Sequence, residues 1–284
     1  MADRPTIEVA HEAGACYGVE RALTMAHDAA RDAEGPVHTL GPLIHNPVVV
    51  SELESEGVTV VEDPAVGMGS TLLLRTHGVT PAVEAAARKS GAAVLDATCP
   101  FVKKVHRAVE RLSKDGYQVI IVGEAGHPEV EGTLGHAPEA LVIGNAAELA
   151  DVDVARRVGV VVQTTMAKAV LDEVVVALMG RAEEVRVLNT ICLATNERQH
   201  AAAELAARAD VMVVIGGKSS ANTTHLAQIC ADVCSSTHHI ERVDELDEAW
   251  FAGAQLVGVT AGASTPRSQI DELVEALEAM AESR

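Results

Sequence analysis

The chain has 284 residues, with 22 lysines and arginines against 41 aspartates and glutamates, for a formal net charge of -19. Hydrophobic residues make up 48% and aromatics 2%, which excludes a disordered chain; one of this length buries about three quarters of its unfolded surface and needs no disulfide staples. The charge argues against non-specific binding of DNA, RNA or anionic membrane, but not against a small anionic ligand that needs only local donors.

In chain order, short β-branched runs alternate with helical patterns. TIEVA (6–10) precedes a helix from Val19 to Asp32, and VTVVE (58–62) and STLLLRT (70–76) precede one from Pro81 to Ser90. AAVLDAT (92–98) leads into a helix over Phe101–Asp115. YQVIIVG (117–123) and ALVIG (140–144) follow, the latter before a short helix at 146–150. VGVVVQTT (158–165), EVRVLNT (184–190), DVMVVIGG (210–217) and LVGVTAGA (256–263) precede helices at 167–180, 195–208, 222–231 and Pro266–Met280. Near-continuous apolar strands alternating with amphipathic helices predict parallel α/β layers, with sites at the strand ends. The start is acidic, without a basic region and apolar core, and no apolar run approaches the roughly 20 residues that cross a bilayer. The expectation is a soluble cytoplasmic protein that engages neither membrane nor nucleic acid.

The 5 cysteines are an odd, widely spaced set that does not fit a secreted disulfide scaffold. Cys16, Cys99 and Cys192 stand 83 and 93 residues apart, each near a predicted strand end and helix start. Three such thirds could converge on one point. Three thiolates match a cubane cluster with one iron lacking a protein ligand, whereas a ferredoxin site usually ligates all four irons. Zinc with three cysteines is the competing reading, although no C-x2-C pair supports a zinc ribbon. Cys230 and Cys234 lack the strand-end setting; their spacing places them on one helix face or across a helix end.

Other polar groups occupy the same kind of position: GPLIHN (41–46), RTHGVT (75–80), GHPEVEGT (126–133), QTT (163–165), GGKSSANTTH (216–225) and AGASTP (261–266). His45, His77 and His127 can donate to phosphate oxygens. Ser220 and Asn222 lie between a strand and a helix whose start offers N–H groups to an anion. Ser264 is expected to act similarly, with Thr265 at the cap of a proline-started helix. GGKSS lacks P-loop spacing, and neither G-x-G-x-x-G nor H-E-x-x-H is present.

Taken together, GACYGVERA, HGV, DATCPFVKKVH, GHPEVEGT, QTT, NTICLATNERQ, GGKSSANT and TAGASTP resemble the 4-hydroxy-3-methylbut-2-enyl diphosphate reductase (LytB/IspH) family over essentially the whole chain. The resemblance implies three similar α/β domains in a pseudo-threefold trefoil around a central iron–sulphur cluster. The domains are expected at 1–98 with Cys16, 99–190 beginning at Cys99, and 191–284 with Cys192, the C-terminal tail closing near the first. Cys16, Cys99 and Cys192 would ligate a [4Fe-4S] cluster whose fourth iron is open to the substrate's oxygen. The implied proton donor is Glu129, with Thr164 in its network, and Glu131 is structural. His45, His77, His127, Ser220, Asn222 and Ser264 would bind the diphosphate. The implied reaction is reductive dehydroxylation of a small allylic diphosphate to isopentenyl and dimethylallyl diphosphate, the last step of the methylerythritol phosphate route. A ferredoxin or flavodoxin would supply electrons.

The chain departs from the family pattern at Ala15, often phenylalanine, and at Ala221, which lacks a family hydroxyl; His225 replaces a long basic residue. A weakened paralogue, a cluster-bearing sensor or carrier, and a metal-dependent phosphate hydrolase are the alternative readings.

Overall fold

The computed structural model describes residues 4–282. Its strands form three parallel sheets of four. The first runs β3 (Val58–Val61), β2 (Val37–Leu40), β4 (Thr71–Leu74), β5 (Ala93–Asp96). The second runs β7 (Leu141–Ile143), β6 (Gln118–Val122), β8 (Arg157–Val162), β9 (Glu184–Val187). The third runs β11 (Thr237–Ile240), β10 (Val211–Ile215), β12 (Leu256–Ala261), β1 (Thr6–Val9). One strand order is therefore used three times. In the first two sheets all four strands are consecutive. In the third, the fourth place is taken by β1, whose Thr6 pairs with Leu256. Residues 6–9 thus belong to the sheet of the C-terminal strands and not to a sheet within residues 1–98.

Contacts divide the chain into two compact units. One runs up to Tyr17, takes in His45–Val48 and resumes at Leu193. The other comprises Gly18–Ile44 and Val49–Cys192 and holds the first two sheets. The junction expected at 98–99 lies inside that second unit, where β5 passes through Cys99 into α4 (Pro100–Lys114).

In the unit with the third sheet, β10 is buried along its whole length, and alternate side chains face opposite layers. Val211 and Val213 pack with Ile270, Leu273 and Leu277 of α9 (Arg267–Glu282). Met212 and Val214 pack with Ala202 and Leu205 of α7 (Leu193–Ala206) and Leu226 of α8 (Ala221–Ala231). In the other unit, Ile120, Val158, Val160 and Val162 meet Leu171, Val174 and Leu178 of α6 (Lys168–Met179). Val119, Ile121 and Val161 meet Val105, Val109 and Leu112 of α4. Each such side chain contributes about 1.5–3 kcal/mol by leaving water.

The remaining helices are α1 (Tyr17–Asp32), α2 (Pro47–Ser55), α3 (Pro81–Lys89) and α5 (Pro128–Leu134). Sequence periodicity does not predict β2, α2, α5 or β11. β2 carries His38 and Thr39, and β11 carries His238 and His239, so neither reads as an apolar run. The three consecutive valines of α2 favour a strand locally, and packing of Val49 and Leu53 overrides that preference. Among the described residues no helix is long and apolar enough to cross a membrane.

Candidate functional site

The three sheets repeat one local device. Cys16, Cys99 and Cys192 each follow the edge strand β1, β5 or β9 and immediately precede the helix α1, α4 or α7. Each cysteine's backbone N–H donates to a carbonyl two residues beyond the end of the adjacent strand. Cys16 donates to Ala263 at 3.1 Å, Cys99 to Thr76 at 2.9 Å and Cys192 to Thr164 at 3.0 Å. All three are half-buried, and none of the five cysteines forms a disulfide. A helix start beside each one directs amide dipoles that favour negative charge. Thiols with these surroundings fit soft-metal ligation, and the threefold repetition suits a cluster with three protein-ligated irons. Among the described residues no three His, Cys, Asp or Glu side chains are gathered closely enough to hold a single metal ion.

Cys230 and Cys234 differ. They straddle the end of α8, Cys234 N–H donating to the Cys230 carbonyl at 2.7 Å, and both are buried in the apolar core. Burial pushes the Cys230 thiol up to about 12, so it is an inert packing residue.

In the second unit the residues of GHPEVEGT and QTT meet. His127 caps α5: its Nδ1 accepts from the Glu129 N–H at 3.1 Å, so the neutral ring carries its hydrogen on Nε2. Glu129 is 3% exposed. Its two carboxylate oxygens accept from the N–H and the hydroxyl of Thr164, each at 2.7 Å. Burial raises the Glu129 pKa, and the two Thr164 bonds pull it partly back. Glu131, two positions on, is exposed. His77 lies edge-on to His127 with ring centroids 5.7 Å apart.

The loop carrying His77 is held from behind. Thr76 donates its N–H and hydroxyl to the Leu43 carbonyl. Gly78 has φ +75°, and a Cβ there would stand 2.7 Å from Cε1 of His106. His106, on α4, is buried and stacks on His136 at 4.1 Å. Burial, then the neighbouring His136, lowers its pKa to about 4, so it packs as a neutral ring. Thr76 and His106 were not singled out by sequence; a glycine after His77 was the visible sign that something approaches closely there.

In the first unit the remaining predicted residues cluster. Ser264 Oγ donates to the His45 carbonyl at 3.2 Å. Asn46, buried and adjacent, donates to the Ser264 carbonyl at 2.9 Å and to Gln269 Oε1 at 2.8 Å. Gly217 passes so close that a Cβ would lie 2.4 Å from the His45 carbonyl oxygen. Ser220 is the N-cap of α8, accepting from Thr223 N–H at 3.4 Å. Asn222 is buried in the first turn, and its side-chain amide nitrogen has no hydrogen-bond partner among the described residues. Ala221 is buried beside it. Thr265 is not the cap expected of it: it donates to the Ile215 carbonyl at 3.1 Å, and α9 begins at Arg267. The hydroxyl shares the carbonyl at the end of β10 with the Gly262 N–H, which donates to it at 3.1 Å.

The fold and these residues define an α/β protein in which one parallel-sheet plan, tipped by a cysteine, occurs three times, with a buried acid in one unit and a cluster of neutral polar groups in the other. A model of the LytB protein family matches residues 7–278. The chain is 48% identical over 274 residues to the 4-hydroxy-3-methylbut-2-enyl diphosphate reductase of Geobacter sulfurreducens, covering 96% of each chain. It is 42% identical to that of Aquifex aeolicus, covering 95% of this chain and 97% of the relative. A solved structure of (E)-4-hydroxy-3-methyl-but-2-enyl diphosphate reductase, the terminal enzyme of the non-mevalonate pathway, matches with TM-score 0.73 and 42% identity, covering 96% of this chain and 99% of that one. The Plasmodium falciparum E-1-hydroxy-2-methyl-but-2-enyl-4-diphosphate reductase matches with TM-score 0.90 and 27% identity, covering 96% and 88%. The chain belongs to the LytB family.

Proposed function

We propose that the chain is a 4-hydroxy-3-methylbut-2-enyl diphosphate reductase, removing the substrate's hydroxyl as water to give isopentenyl and dimethylallyl diphosphate. The observation that carries this reading is the buried Glu129 carboxyl, held by Thr164, whose own carbonyl accepts from Cys192. A proton donor is thereby tied through one residue to a cysteine of the threefold set.

Cys16, Cys99 and Cys192 would hold a [4Fe-4S] cluster, which would supply electrons and a Lewis-acidic iron when bound. The protein's own groups bind and protonate. Asn222, Ser220, Ser264 and the N–H groups at the start of α8 would hold the diphosphate, together with His45, His77 and His127. Neutral donors suit a chain of net charge -19, because the bound anion is met by local dipoles and not by an overall field. Glu129, with its pKa raised by burial, keeps a proton at higher pH than an exposed glutamate and delivers it to the leaving hydroxyl. Thr164 fixes the carboxyl's orientation.

The test is anaerobic purification with iron and sulphide analysis, then assay with the hydroxylated allylic diphosphate and dithionite-reduced methyl viologen. Two-electron turnover to the two products is expected. A loaded cluster without turnover would favour a sensor, and phosphate release without reduction would favour a hydrolase.

A further inference from the structure

Three helices occupy equivalent places after the three cysteines, and one of them differs in charge. Helix α4 carries Lys103, Lys104, Arg107, Arg111 and Lys114 against the single acid Glu110, so five of the chain's 22 basic residues lie on this one element. Helix α1 offsets Arg21 and Arg31 with Glu20, Asp28 and Asp32, and α7 offsets Arg198 with Glu197 and Glu204. The shared sheet plan therefore does not require the basic face of α4.

That face is open. Lys104, Arg107, Arg111 and Lys114 are exposed and fall at i, i+3, i+7 and i+10, one stripe of a helix. Lys103, half-buried, is neutralised by Asp96, and Arg111 stands 3.8 Å from Asp115. Lys104, Arg107 and Lys114 form no ion pair among the described residues, while exposed arginines elsewhere do: Arg31 with Asp28, Arg156 with Glu183, Arg208 with Glu8. Lys104 also sits 4.6 Å above the ring of Phe101, giving the start of the stripe an apolar edge. Cys99 caps this same helix, and at 1.5 Å per residue Lys104 and Arg107 lie roughly 8 and 12 Å along the axis from it.

We infer that the Lys104–Arg107–Arg111–Lys114 stripe of α4 is the docking surface for a small acidic one-electron carrier protein. The inference rests on the reductase reading above. Charge complementarity selects the occupant: an acidic carrier is repelled by most of a -19 chain and attracted to this stripe, which steers it to the helix capped by Cys99. Each encounter moves one electron, leaving the carrier oxidised. Loss of one hydroxyl as water consumes two electrons and two protons, so two encounters serve each turnover.

The test uses the anaerobic, cluster-loaded enzyme and a purified acidic [2Fe–2S] ferredoxin. Binding of oxidised ferredoxin is measured by calorimetry at two salt concentrations. Turnover is measured with reduced ferredoxin and, separately, with dithionite-reduced methyl viologen. The variant Lys104→Glu/Arg107→Glu is expected to weaken ferredoxin binding roughly tenfold, flatten its salt dependence and lower kcat/KM for ferredoxin in step, with dye-driven turnover unchanged. The conservative pair Lys104→Arg/Arg107→Lys should keep wild-type binding. If charge reversal prevents folding, Lys104→Gln/Arg107→Gln should give the same pattern at about threefold. Unchanged ferredoxin affinity and salt slope in a folded, charge-reversed variant would overturn the inference. So would binding of anionic vesicles or an oligonucleotide that is lost in the variant while ferredoxin binding is kept. Failure of dye-driven turnover in the wild type would instead refute the reductase reading, leaving the binding measurement intact.

Discussion

Thr164 gives the Glu129 carboxylate two hydrogen bonds, one from the backbone and one from the hydroxyl, and these oppose the effect of burial on the carboxyl. Thr164→Val removes the hydroxyl bond and keeps the backbone bond. Since that bond favours the carboxylate, its loss raises the Glu129 pKa further and moves the alkaline limb of kcat to higher pH. Glu129→Gln should lower kcat by about 10²–10⁴-fold with iron content unchanged. An unmoved limb in the first variant, or near-normal turnover in the second, would remove Glu129 as the acid.

His106 predicts a pH dependence of stability. Its folded pKa of about 4 lies below the ordinary 6.5, so the unfolded state binds more protons between those values. Stability from the neutral ring is fully present above pH 6.5 and is lost as pH falls toward 4, by about 2–3 kcal/mol. Urea unfolding from pH 7.5 to 4.5 should show this loss, and His106→Gln should flatten it. A variant with the wild-type slope would place the acid sensitivity elsewhere.

The five thiols should separate by reactivity. In the cluster-free protein, iodoacetamide should label the half-buried Cys16, Cys99 and Cys192 within minutes and spare Cys230 and Cys234 until unfolding. Mass spectrometry of tryptic fragments reads the outcome. Replacing any of the first three with serine should cut iron content. Cys230→Ser should leave iron content alone and cost about 1–3 kcal/mol, because it buries a hydroxyl among apolar side chains.

Asn222 and Ala221 give opposite expectations. The Asn222 amide is buried without a partner among the described residues, a cost to folding that bound diphosphate would repay. Asn222→Leu should raise KM about tenfold or more without lowering stability. Ala221→Ser should restore a donor and lower KM by about fivefold, equivalent to roughly 1 kcal/mol. A KM unchanged in both would take α8 out of the binding site.

These residues also mark what is readable from sequence. The cysteines of the repeating device could be separated from Cys230 and Cys234 because each stands between an apolar strand and a helix start, a local pattern. The core strands β6, β8, β10 and β12 were legible for the same reason. β2 and β11 were not, because their histidines interrupt the apolar run while neighbouring strands supply the burial. The hydroxyl of Thr265 was misplaced because its acceptor, the Ile215 carbonyl, is 50 residues away. His106 carries no local signal, because the glycine it packs against, Gly78, lies 28 residues earlier in the chain. The basic stripe of α4 is visible in the residues, but the contrast with α1 and α7 depends on the sheet topology that makes the three helices equivalent.

The pairing of Thr6 with Leu256 orders events during biosynthesis. Ribosomes add about 5–20 residues per second, so β1 waits roughly 10–50 s for its partner β12. Cys16 is the first of the three cysteines to be made and the last to be seated, since its amide acceptor, Ala263, belongs to the same late segment. The nascent chain can assemble its first two sheets, with Cys99 and Cys192, while Cys16 is still unanchored. A cluster held by the three cysteines would therefore be delivered after translation, when β1 and β12 have paired, and a prematurely terminated chain would have no third thiol in place to retain iron.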